Sequence, residues 1–81
     1  MTDLYLDTEF NGFGGELISI ALVNGESAFY EVLEIDGQYE PWVAENVIPI
    51  LEKEPISKEV LRYWLFKFLG EFDNPTIYAD S

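Results

Sequence analysis

The hydrophobic pattern changes its period at Pro41, and this constrains the fold more than any other feature of the chain. Before Pro41 the apolar residues follow strand rules, and after it helical ones. Leu4, Leu6, Thr8 and Phe10 fall on one side of the first segment, with Asp3, Tyr5, Asp7 and Glu9 on the other. This is the period of ~2 of a half-buried strand. The glycines of the Asn11 to Gly15 segment permit positive φ. Glu16 to Val23 then runs apolar on both faces, as an internal strand does. Asn24-Gly25 predicts a type I′ hairpin turn, since both central positions of that turn need positive φ, and leads into a third strand from Ser27 to Glu34. Asp36-Gly37 closes the meander.

Beyond Pro41, the residues Trp42, Val43, Val47, Ile50 and Leu51 fit a short helix with proline in its first turn, which Pro49 should end or kink at Ile48. Ser57 is the natural N-cap of a second helix, in which Val60, Leu61, Trp64, Leu65, Phe68 and Leu69 form the apolar face and Gly70 the stop. Thr76 to Ala79 reads as a fourth strand. The predicted order is β-β-β-α-α-β, one α/β domain over residues 1–81 with two helices packed on a sheet.

Composition removes several chemistries. The 81 residues contain no Cys and no His, so thiolate nucleophiles, Ser-His dyads, Cys/His zinc sites and disulfides are excluded. Catalysis would have to come from carboxylates, hydroxyls or hard metal ions. The longest uninterrupted aliphatic run, Ile20 to Val23, is far short of the ~18 residues of a membrane span, and the start of the chain lacks the basic character of a secretory signal. A cytoplasmic location is the simplest expectation. The formal charge of −12 opposes long-range steering of a polyanion. A nucleic-acid substrate should therefore be short or engaged at one end.

Asp7 and Glu9, two apart in a strand, share a face with side chains roughly 6 to 7 Å apart, a spacing at which two carboxylates can share a divalent cation. The Asp-x-Glu spacing alone fits the wet side of an amphipathic strand better. Asp80 alters that balance. If the two helices form a crossover, the last strand runs parallel to the first, and Glu9 and Asp80 both reach the carboxyl edge of the sheet, where ligands of such sheets collect. Three converging carboxylates repel one another unless Mg²⁺ or Mn²⁺ neutralises them.

Asp7-Thr8-Glu9-Phe10, followed by Gly12 and by Glu16 to Ala21, resembles the first motif of the DEDD 3′-to-5′ exonuclease superfamily, which has the ribonuclease H-like fold. The chain is most similar to the small bacterial and phage exoribonuclease branch, with counterparts also for Pro41-Trp42, for Asn46 to Pro49 and for Tyr78-Ala79-Asp80. The resemblance implies two-metal hydrolysis of phosphodiester bonds at single-stranded RNA 3′ ends. Asp7 would bridge both ions, Glu9 would hold the one that activates water, and Asp80 would be the aspartate of the second motif. Phe10 or Phe13 would stack on the terminal base, although packing explains either ring equally well.

The family also has a further metal-binding Asp, preceded by a general-base His or by a Tyr, on a last helix well beyond the second motif. The chain stops at Ser81 and contains no His. The expectation is therefore the N-terminal half of such a domain, nearly silent alone, with an unpaired strand edge and exposed helix aromatics that drive self-association, as a homodimer or otherwise. A non-catalytic acidic interaction module on the same scaffold is the rival expectation. Gly12, Gly14 and Gly15 read as a tight loop, because no Lys-Ser/Thr follows them.

Overall fold

A computed structural model describes residues 2–12 and 14–79. Four strands, β1 (Thr2–Phe10), β2 (Leu17–Val23), β3 (Ala28–Val32) and β4 (Pro75–Ala79), form one mixed sheet in the order β3-β2-β1-β4. Neighbours β3, β2 and β1 are antiparallel, and β4 joins β1 in parallel. The chain between β3 and β4 carries helices α1 (Pro41–Asn46), α2 (Ile48–Leu51) and α3 (Lys58–Leu69). The architecture is thus α/β, as predicted, with three helices in place of two. The single helix expected from Pro41 is interrupted at Val47, and Pro49 sits in the first turn of the new helix, where its missing N–H costs nothing.

β2 is internal, which explains its apolar residues on both faces. It also carries a β-bulge. Glu9 pairs with Ser19 but Phe10 pairs with Leu17, so Ile18 is the extra residue. Leu17 then packs with Ile20 and Leu22 on one face, while Ile18 joins the other. The first face gathers Leu4, Leu22, Phe29 and Leu33 under Leu61 and Phe68 of α3. On the second face, Ile18 packs with Val43 and Val47 of the α1–α2 region. Each cluster excludes water from one side of the sheet, and this burial of apolar area is the main stabilising term.

Two polar side chains anchor the segment that leads into α1. The Glu16 carboxylate accepts the N–H groups of Asp36 (3.1 Å) and Gly37 (3.2 Å). The Asn11 carboxamide accepts from Glu40 N–H (2.8 Å) and donates to the Gln38 carbonyl (2.9 Å). Gly15 is required here by contact, since a Cβ would lie 1.9 Å from the Asn11 carbonyl oxygen. The hairpin between β2 and β3 is present but its turn differs from the type I′ expectation. Neither Asn24 nor Gly25 has positive φ. Instead the Asn24 side-chain oxygen accepts from Glu26 and Ser27 N–H at 2.9 and 2.7 Å, a local bond that stabilises a longer loop with ordinary backbone angles.

The helix faces are also narrower than the sequence predicts. Leu61 and Phe68 are buried, whereas Val60 and Trp64 on α3, like Trp42 and Ile50 on the shorter helices, are exposed. Ser57 caps α3 as expected, accepting from Val60 N–H at 3.2 Å, and Gly70 ends it.

Candidate functional site

β1 is the strand on which the candidate site is built. Its alternation survives folding: Leu4 is buried and Leu6 and Thr8 are half-buried on the α3 side, while Asp3, Tyr5, Asp7 and Glu9 are exposed on the other. Pairing with β2 continues through both positions and holds the strand's side chains at fixed spacing, so Asp7 and Glu9 share a face by register rather than by chance rotamer. Asp7 lies opposite Ala21, which in turn lies opposite Tyr30, and Glu9 lies opposite Ser19 and then Val32. Small neighbours on β2 leave the carboxylates open to solvent.

The electrostatics of this face are one-sided. Among the described residues the one salt bridge joins Lys53 to Glu31 at 2.9 Å. The other three cations, Lys58, Arg62 and Lys67, belong to α3, whose core residues pack on the opposite side of the sheet. Asp7 and Glu9 therefore have no cationic side chain in ion-pair contact. The Tyr30 phenol has its pKa raised above the ordinary 10.0, chiefly by burial, against an opposing effect of the Lys53 charge and with smaller contributions from the Glu52 and Glu9 carboxylates. Its O–H donates to the Leu51 carbonyl at 2.9 Å, tying α2 to the same sheet face.

β4 runs parallel to β1, with pairs from Thr2 with Pro75 to Leu6 with Ala79. The register ends one residue before Asp7 on β1 and one residue before Asp80 in the sequence. Asp80 itself, the third expected carboxylate, lies outside the described residues, and so does Phe13. Phe10, expected on the covered side of β1, is exposed at the end of the strand and has Leu17 as its partner across the bulge. No group of three metal-ligating side chains occurs among the described residues. Two hard oxygen donors on one strand, with no cationic side chain among the described residues in salt-bridge contact, nevertheless fit the donor chemistry of Mg²⁺ or Mn²⁺.

The same face carries a feature that the periodicity does not single out, an aromatic pair. Tyr5 and Tyr78 sit opposite each other in the parallel register and stack with ring centroids 5.5 Å apart. The signal was present in the sequence only as two tyrosines on strands whose register was not known. Among the described residues no helix is long and apolar enough to cross a membrane. Comparisons with family models, with curated proteins and with solved structures find no match to this chain.

Proposed function

We propose that this chain carries the metal-binding strand pair of a DEDD-type 3′-to-5′ exoribonuclease with a ribonuclease H-like fold. The observation that carries the reading is the parallel pairing of β4 with β1, which ends beside Asp7 on the strand whose exposed face presents both Asp7 and Glu9. Asp7, Glu9 and Asp80 would hold Mg²⁺ or Mn²⁺, and the bound ions would supply an activated water and neutralise charge on the leaving oxygen. The chain's own part is to fix the two carboxylates on a paired strand and to present an exposed ring, Phe10, one residue farther on for contact with a base. Phe13 keeps the same proposed contact role. The substrate would be the 3′ end of a single-stranded RNA.

The resemblance assigns the remaining ligand and the general base to sequence that these 81 residues do not contain, and the chain has no His. The decisive readout on this chain is therefore metal binding. Isothermal titration with Mn²⁺ should give one weak binding event that Asp7→Asn abolishes. Absence of binding in the unsubstituted chain, or equal binding in Asp7→Asn, would leave the non-catalytic interaction module as the better reading.

A further inference from the structure

We infer that the outward face of α3 is a self-complementary dimerisation surface, on which a second copy of this chain lays its own α3 antiparallel. This surface differs from both sheet edges and does not depend on the proposed reaction. α3 turns Leu61 and Phe68 into the core and leaves Val60, Tyr63, Trp64 and Phe66 exposed, with Phe66 at 78% the most exposed large apolar residue described. Glu59, Arg62, Tyr63, Phe66 and Lys67 line one shallow groove on that side of the helix. Isolated exposed rings are ordinary, but a contiguous set on one helix, framed by charges, marks a contact surface.

Charge selects the place, and the order of residues along the helix selects the occupant. α3 holds Lys58, Arg62 and Lys67 against Glu59, a balance of +2, so the rest of the chain carries −12 − 2 = −14. Copies of so acidic a protein repel wherever their other surfaces meet, and α3 is the place where that repulsion is least. The order of residues along the helix then fits its own reverse. With two copies antiparallel and Tyr63 at the two-fold axis, about 3.6 residues per turn bring Glu59 across the seam from the second copy's Lys67, Val60 beside the second copy's Trp64 on one flank, and Arg62 beside the second copy's Phe66 on the other. Each pairing occurs twice, as an isologous interface requires. The opposite charges meet, the apolar groups meet, and the guanidinium meets an aromatic ring that favours it. Lys67 already lies over the Tyr63 ring, 5.4 Å from its centroid, so its charge is held beside the axis. A helix of 12 residues offers roughly 18 Å of contact, which sets the expectation of a weak and reversible dimer.

The test is sedimentation equilibrium of the chain from about 10 µM to about 1 mM, with far-UV circular dichroism confirming that each variant folds. The unsubstituted chain should shift from 9.3 kDa towards twice that mass. Lys67→Glu and Glu59→Lys should each weaken the dimer at least tenfold, and the double variant should recover most of the loss. The two single variants move the net charge in opposite directions, so association governed by overall repulsion would instead strengthen in Glu59→Lys. Phe66→Ser should weaken the dimer without altering the monomer's melting temperature. A monomer throughout the range overturns the inference. So does a dimer indifferent to both charge reversals, including one that pairs through β4, or one that forms only with an added acidic polypeptide.

Discussion

The rings of Tyr5 and Tyr78 stack 5.5 Å apart at 23°, and the two residues are direct partners in the parallel pairing of β1 with β4. Side-chain contact and backbone register thus agree on the placement of β4, the strand that closes the crossover.

This agreement can be measured. A double-mutant cycle on Tyr5→Ala and Tyr78→Ala should give a coupling of about 0.5–1 kcal/mol, because both rings are half-exposed and the stack adds only modestly to area burial. Urea denaturation of the four proteins supplies the numbers. Zero coupling would mean that the pair is incidental to the register.

Leu4 is fully buried in the α3-side cluster, together with Leu22, Leu61 and Phe68. Leu4→Ala should cost about 2–5 kcal/mol, and in a domain of this length each kcal/mol lowers the melting temperature by about 4–8 °C. Calorimetry should record a loss large enough to leave much of the protein unfolded at 37 °C. A loss below ~1 kcal/mol would contradict the core position.

Glu16 has its carboxyl pKa lowered from the ordinary 4.5, first by the hydrogen bond from Asp36 N–H and then, against the opposing effect of desolvation, by that from Gly37 N–H and by the charge of Lys58. A depressed folded-state value means that the contribution is whole above 4.5 and is lost as pH falls through the lower folded value. Glu16→Gln should therefore be less stable than the unsubstituted chain near about pH 6 and lose that disadvantage towards about pH 3. Carbon-detected NMR titration of the Glu16 carboxyl and melting curves across that range check the two halves of the claim. A carboxyl titrating at or above 4.5 would refute it.

If Asp7 and Glu9 share a cation, Mg²⁺ or Mn²⁺ at ten times the dissociation constant should stabilise the fold by about 1.4 kcal/mol. Thermal scans should show that shift in the unsubstituted chain and its loss in Asp7→Asn and Glu9→Gln. Both variants should be at least as stable as the parent without metal, since each removes repulsion between carboxylates. Metal shifts of equal size in all three proteins would place the ion elsewhere.

The strands were legible where one face alone is covered. β1 alternates because α3 packs against Leu4 and Leu6 while nothing described covers Asp7 and Glu9, so its sequence records its surroundings. The same physics hid the bulge. β2 is apolar on both faces, and no polar residue between Leu17 and Ile20 except the buried Ser19 marks where alternation slips. The Asn24-Gly25 pair announced a hairpin correctly but not its turn, since the Asn24 side chain competes with the backbone for the same N–H groups. Helical periodicity found α3 but overstated its buried width: Val60 and Trp64 are apolar and lie beside the core stripe, and periodicity does not register how far the sheet extends beneath them. Of the expected site, the shared face of Asp7 and Glu9 was readable from spacing alone. The third position depended on a crossover, which the parallel β1–β4 pairing supplies as far as Ala79.

The extra residue at Ile18 gives one strand duties on two sides of a wall. Without it, strict alternation along β2 could not point Leu17 and Leu22, five positions apart, to the same side. Loss of a single codon there would reverse the facing of every residue before it relative to those after. A library of single-residue insertions and deletions should therefore find the run from Leu17 to Ile20 among the least tolerant of length change in the chain, while the Asn24 to Ser27 loop accepts added residues freely.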